Sequence, residues 1–171
     1  SSYEEDKELW RKLYKMFIFD NEELDTLLEE QSLYWNDDKS IVDTFVVKTI
    51  KRFEEENGAS QQLLPEYKDV ADMEFARKLF RAAITNAEEY RALMSGSSKN
   101  WDMQRLAFMD VVIMQTALAE ILTFEDIPLS VTLNEYVEIA KYYSTAKSGS
   151  FVNGLLDSIT KKLRQEGKIN K

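Results

Sequence analysis

The side chains able to do chemistry gather at one end of the chain. From Ile139 onward there are seven basic residues, Lys141, Lys147, Lys161, Lys162, Arg164, Lys168 and Lys171, against two acidic ones, Asp157 and Glu166, a local charge of +5. Residues 1–138 carry 15 basic and 29 acidic residues, a local −14 within a net −9. A net −9 argues against nucleic-acid binding by the chain as a whole, because a polyanion is held mainly by Lys and Arg. A basic end on an acidic body nevertheless points to a partner surface. The same lysines also complement the macrodipole of a C-terminal helix and keep it soluble, and the sequence leaves both readings open. Within this end, Phe151 stands where the Ser/Gly-rich loop Ser144–Ser150 meets a helix start, whose free backbone N–H groups favour an anion such as phosphate. Lys141 and Lys147 flank that loop, and Lys161 and Lys162 follow on the helix.

Other chemistry is excluded by composition. The 171 residues contain no His and no Cys, which removes Ser-His-Asp and Cys-His catalysis, thiolate nucleophiles, structural zinc of the usual kind and disulfides. There is no Gly-rich phosphate loop and no HExxH or EF-hand spacing. Acidic runs such as Glu54-Glu55-Glu56 read as solvated helix faces, and a metal site made of carboxylates alone would be unusual. The expectation is a protein that binds and does not catalyse, with no cofactor and no metal. The longest apolar stretch, Leu106 to Phe124, is interrupted by Asp110, Gln115 and Glu120, so it reads as a buried helix and not a membrane span. The opening Ser-Ser-Tyr-Glu-Glu-Asp has neither a basic nor an apolar leader region and lacks Met, which reads as a cytoplasmic chain cut from a longer protein.

Five Gly and two Pro are too few turn-formers for a many-stranded fold, while Leu, Glu, Lys, Ala and Met abound, so the expected class is all-α. A shift of 66 residues aligns Glu8–Ile50 with Glu74–Thr116 without a gap, with nine identities that include Arg11/Arg77, Leu13/Leu79, Leu27/Leu93 and Trp35/Trp101. This divides the chain into residues 1–69, a diverged copy of 73–116, and residues 70–171, with Asn57–Lys68 as linker. Each copy predicts three helices. The first is Lys7–Phe19, with Leu9, Leu13, Met16 and Phe17 inward, matched by Met73–Ile84, with Phe75, Leu79, Phe80 and Ala83 inward. Asp20 and Asn86 are the expected N-caps of short second helices. The Trp pair, which reads as packing anchors, leads into long apolar helices at Ser40–Glu55 and Met103–Phe124. Pro128 then breaks the chain. A helix follows from Pro128–Ser130 with Val131, Leu133, Val137, Ile139 and Ala140 inward, and a last one with Phe151, Leu155, Leu156, Ile159 and Leu163 inward. For Asn153-Gly154 the physical reading is close helix packing.

Three blocks in this order, "WDMQRLAFMDVVIMQTALAEIL", "DIPLSVTLNEYVEIAKYYS" and "SGSFVNGLLDSI", resemble the C-terminal domain of the NusB family of bacterial transcription antitermination factors. The likeness is carried by Trp101, Arg105, Asp110 and Glu120, then Ile127-Pro128, Asn134-Glu135, Glu138 and Ala140-Lys141, and finally Phe151-Val152-Asn153-Gly154 with Leu156-Asp157, over roughly residues 70–165. The resemblance implies a NusB-like helical bundle of two packed helical subdomains. It implies pairing with NusE, a small-subunit ribosomal protein, binding of boxA-type single-stranded RNA, and assembly with the transcription elongation complex. The family's acidic contact to NusE falls on Asp110, expected to be exposed, and its RNA-facing aromatic on Phe151, whose ring would stack on an unpaired base. An ordinary core role for Phe151 is the alternative. Lys141, Lys147, Lys161 and Lys162 would hold phosphates beside it.

Two departures are visible. Family members usually begin with an Arg-rich helix that contacts RNA, where this chain reads Glu4-Glu5-Asp6-Lys7-Glu8, and Lys147 stands where an acidic residue is common. Two other functions fit the same resemblance: the NusB-like RNA-binding domain of an rRNA cytosine methyltransferase, and a scaffold that has lost RNA binding.

Overall fold

The computed structural model describes residues 2–32, 34–97 and 106–171, with the side chains of Asn36 and Asp37 left aside. The described elements are helical, and the chain divides into two units, Ser1–Lys68 and Asp69–Lys171.

The first unit contains α1 (Tyr3–Phe17), α2 (Glu22–Gln31), α3 (Trp35–Lys51) and a 3-10 turn at Glu55–Ser60. A capping box starts α1: Glu5 N–H donates to Ser2 Oγ, and Ser2 N–H donates to the Glu5 carboxylate. The N-cap of α2 is Asn21, whose Oδ1 accepts from Leu24 N–H at 2.9 Å. The expected cap Asp20 instead takes φ 54°, the left-handed turn residue between the two helices. The long helix starts at Trp35 and ends at Lys51, earlier at both ends than Ser40–Glu55. The predicted inward face of α1 is also corrected, since Leu9, Met16 and Phe17 are all exposed. Besides partly buried apolar residues such as Leu13, Leu24, Leu28 and Val46, a buried polar cluster joins the three helices. Lys39 Nζ on α3 meets Asp43 Oδ2 at 2.6 Å and Asp25 Oδ1 of α2 at 2.8 Å, and it donates to Ile18 O at the end of α1. Tyr14 OH of α1 donates to Asp43 Oδ1 at 2.6 Å. Burial pulls the Lys39 pKa down, but hydrogen bonds and charge from Asp25 and Asp43 outweigh it and leave it raised.

The second unit contains α4 (Val70–Thr85), α5 (Ala87–Ser97), α6 (Phe108–Thr123), α7 (Leu129–Tyr143) and α8 (Ser148–Gln165). Asp69 caps α4 by accepting from Asp72 N–H. Asn86 ends α4, and its amide donates to Tyr90 OH. α6 packs against α4, α5, α7 and α8, as a helix apolar on nearly every side must. Met114, Ala117, Leu118 and Ala119 are fully buried in it, against Met94 of α5 and Val152, Leu156 and Ile159 of α8. α6 begins at Phe108, with Leu106 and Ala107 outside the helix, and the remainder of the predicted start from Met103 lies outside the described residues. Phe80, expected inward on α4, is exposed, while Ala83 is buried as expected.

The register of α7 departs from the sequence expectation. Its buried residues are Leu129, Thr132, Tyr136 and Ala140, while Val131 and Ile139 are exposed. The reason is Glu120, buried on α6, which needs donors. Thr132 Oγ1 donates to its Oε1 at 2.7 Å and Tyr136 OH to its Oε2 at 3.1 Å. α7 turns its hydroxyls to the carboxylate and gives up two apolar contacts. Burial, then the Glu120 charge, drives the Tyr136 hydroxyl pKa far upward. Among the described residues no helix is long and apolar enough to cross a membrane.

Candidate nucleic-acid interface

The basic end is built on the α7–α8 corner, where hydroxyls do the positioning. Asp110 in the first turn of α6 is only 6% exposed, and its Oδ1 accepts from Ser144 Oγ, at the end of α7, at 2.6 Å. Ser148 Oγ donates to Ser144 Oγ at 3.0 Å and accepts from Thr145 N–H at 3.1 Å. The helix N-terminus favours a carboxylate at Asp110, which makes its burial tolerable. These side chains therefore fasten the start of α8 to the start of α6. The expectation of an exposed Asp110 is corrected: the carboxylate is buried and occupied with Ser144.

The helix start differs from expectation as well. α8 begins at Ser148, inside the predicted loop Ser144–Ser150. Ser148 N–H already donates to Thr145 O, and both Ser148 and Gly149 are buried, so this N-terminus is largely closed to an incoming anion. Gly149 is the tightly packed glycine of the region. A Cβ there would stand 3.0 Å from Lys141 Cγ and 3.6 Å from Val137 O. At Gly154, where close packing was expected, a Cβ would meet nothing within 4 Å among the described residues.

The five proposed RNA-contacting residues do not form one cluster. At 100° per residue, Lys147, Phe151 and Lys162 lie on one flank of α8, four and eleven residues apart, or about 6 and 16 Å along its axis. Lys161 is turned outward beside them, and its Nζ pairs with Asp157 at 2.6 Å. Lys141 lies across the helix, its stem against Gly149, and pairs with Glu138. Lys162 pairs loosely with Glu166 at 4.0 Å. Lys168, 2.9 Å from Glu166, holds that carboxyl below the usual range. Among the described residues Lys147 has no ion pair. Exposed pairs of this kind contribute about 0–1 kcal/mol, so a phosphate displaces them at small cost. Phe151 is half-buried and packs against the core cluster from this flank.

Sequence reasoning missed Ser144, Thr145 and Ser148 as positioning groups, and it missed Tyr142, 82% exposed beside Lys141. The run Tyr142-Tyr143-Ser144-Thr145 was the available signal, a cluster of hydrogen-bonding side chains at a helix end. Trp101 and Arg105, part of the family likeness, lie outside the described residues. Among the described residues no group of His, Cys, Asp or Glu is arranged to hold a metal ion.

Comparison with known proteins gives a consistent result. The NusB family pattern matches residues 40–161. The transcription antitermination protein NusB of Salinibacter ruber is 36% identical over 132 residues, covering 74% of this chain and 82% of that protein. The NusB of Chloroherpeton thalassium is 34% identical over 122 residues, covering 70% and 58%, and that of Geobacter sulfurreducens 39% over 97 residues, covering 57% and 70%. The solved structure of T. maritima NusB is similar with a TM-score of 0.52 at 37% identity, covering 65% of this chain and 78% of that one.

Proposed function

The chain belongs to the NusB family, and from that premise we propose that it is a transcription antitermination factor that binds single-stranded boxA-type RNA together with the ribosomal protein NusE. It acts by binding, without catalysis, in the cytoplasm and within the transcription elongation complex. The observation that carries the reading is the flank of α8 on which Lys147, Phe151 and Lys162 line up. An aromatic ring with cations on either side along one helix face suits a splayed single strand, with a base on the ring and phosphates on the lysines. Lys161 and Lys141 supply outlying charge from the neighbouring face and from α7. Asp110 enters as the group that positions the α7–α8 corner.

Fluorescence anisotropy of a labelled boxA-type RNA, with the chain alone and with NusE, at two salt concentrations, tests this. The expected result is binding that tightens with NusE and weakens with salt, with a slope set by the few lysines engaged. No binding in the presence of NusE refutes the RNA reading. That outcome would favour the scaffold, which has its own supporting observation: Lys141, Lys161 and Lys162 already have acidic neighbours.

A further inference from the structure

The first unit holds a pocket that the RNA reading does not use. Tyr3, Asp6, Lys7 and Trp10 recur at i, i+3, i+4 and i+7, so they share one face of α1, and with Ile50 and Phe53 of the first unit they line a cavity of about 460 Å³. The NusB pattern begins at residue 40, so this face of α1 lies ahead of it. Three of the lining residues are aromatic, and Trp10 is 66% exposed, which leaves most of its ring to meet an occupant. The lining cation is already engaged: Lys7 Nζ pairs with Glu4 and donates to Phe53 O at 3.1 Å. The Glu4 hydrogen bond, helped by the charges of Glu4 and Glu54, raises the Lys7 pKa against the pull of burial. Asp6 is exposed and in no ion pair among the described residues. Glu4, Asp6 and Glu54 thus outweigh Lys7, and the local charge is −2.

An apolar volume walled by aromatic residues and set in negative potential selects a cation that sheds its water easily. A plain ammonium is strongly hydrated, whereas a methylated one carries its charge beneath an apolar surface and is drawn to aromatic rings. We propose that this pocket of the first unit binds a methylated ammonium group, with Tyr3, Trp10 and Phe53 as its walls and Asp6 as its countercharge. The cavity is within the size range of small-ligand sites, room for the headgroup and the start of the chain that bears it. A methylated lysine of a protein partner and a small quaternary ammonium both present this chemistry. The inference stands independently of RNA binding by the second unit.

The test titrates the nitrogen-labelled chain with choline, with the uncharged carbon isostere of choline, and with a peptide carrying trimethyllysine or plain lysine, while NMR follows the tryptophan indole N–H signals. Trp10→Phe identifies the Trp10 signal. Choline and the methylated peptide are expected to shift it, and choline should bind about 3- to 30-fold more tightly than its isostere, the range of a cation–π contact. Trp10→Ala should lower affinity about tenfold or more, Trp10→Phe by less, and Asp6→Asn by up to about fivefold. Helix content by circular dichroism should stay unchanged in all three, since both side chains are exposed. A methylated peptide that binds about tenfold more tightly than choline would assign the site to a protein partner, and equal affinities to a small molecule. The comparison of choline with its isostere needs no variant: equal binding of the two would show a pocket indifferent to charge and overturn the proposal. A plain-lysine peptide that binds as well as the methylated one would overturn it too, as would a Trp10 signal unmoved at about 50 mM choline and about 1 mM methylated peptide.

Discussion

The hydrogen bond between Asp110 and Ser144 carries a quantitative prediction that separates a positioning carboxylate from a partner-facing one. Its O···O distance is 2.6 Å, its acceptor is ionic, and Asp110 is buried. Bonds of this kind contribute about 1.5–3 kcal/mol net. Asp110→Ala leaves the Ser144 hydroxyl without its ionic acceptor, and Ser144→Ala leaves a buried carboxylate short of a donor, so each single variant should lose about 1.5–3 kcal/mol. For a unit of about 100 residues that corresponds to a fall in Tm of about 6–12 °C. The double variant should lose scarcely more than either single one, giving a coupling of about 1.5–3 kcal/mol in a double-mutant cycle. Chemical denaturation followed at 222 nm measures all four corners. Additive losses, with a coupling under about 0.5 kcal/mol, would refute the reasoning and return Asp110 to the surface. Asp110→Lys, harmless for an exposed contact residue, should be at least as damaging as Asp110→Ala, because it buries an ammonium in place of the carboxylate.

Further outcomes follow from the same geometry. Phe151→Ala should lower RNA affinity by about 5- to 150-fold, the range for loss of one stacked base, and should also cost about 1–3 kcal/mol of stability because the ring is half-buried; anisotropy with unfolding curves checks both. Tyr14, whose pKa burial and the Asp43 hydrogen bond push up to about 12, gives the first unit stability that is present below pH about 10 and lost as pH rises through about 12. Tyr14→Phe should remove that part of the alkaline loss, seen as a flatter pH dependence of unfolding. Lys39→Met should cost about 3–5 kcal/mol by leaving the buried Asp43 carboxylate without its cation, and the pair Lys39→Met with Asp43→Leu should recover most of it; cleavage within residues 1–68 by a protease reports both.

Periodicity located the helices well because most of each helix's apolar residues follow its period. The faces were less legible. On α7, Val131 and Ile139 read as inward by hydrophobicity alone, yet Thr132 and Tyr136 take the interior because a carboxylate on another helix needs donors, and such a demand is invisible along one segment. Asp20 and Asn21 are both good cap residues, and which one caps depended on which took the left-handed turn. The glycines of α8 were hard to read for a similar reason: Gly149, in a stretch that reads as loop, is packed by a lysine stem from α7, a contact across chain distance, while a Cβ at Gly154, where close packing was expected, meets nothing within 4 Å among the described residues. Of the candidate site, the identities of Lys147, Phe151 and Lys162 were readable from their positions near the C-terminus. The helix start at Ser148, which fixes them on one flank, was hidden in a Ser/Gly stretch that reads as loop.

The polar knot of the first unit has a consequence for how the chain breathes. Among the described residues its buried side chains are Lys39 and Asp43, whereas the second unit buries its apolar core around α6. Opening the first unit exposes only half-buried apolar side chains and returns its ions to water, so its opening free energy and heat capacity are lower than those of the second unit. Backbone amides of α1 to α3 should then exchange with deuterated solvent through frequent partial openings. Those of α6 and α8 should wait for global unfolding, so one chain keeps two clocks.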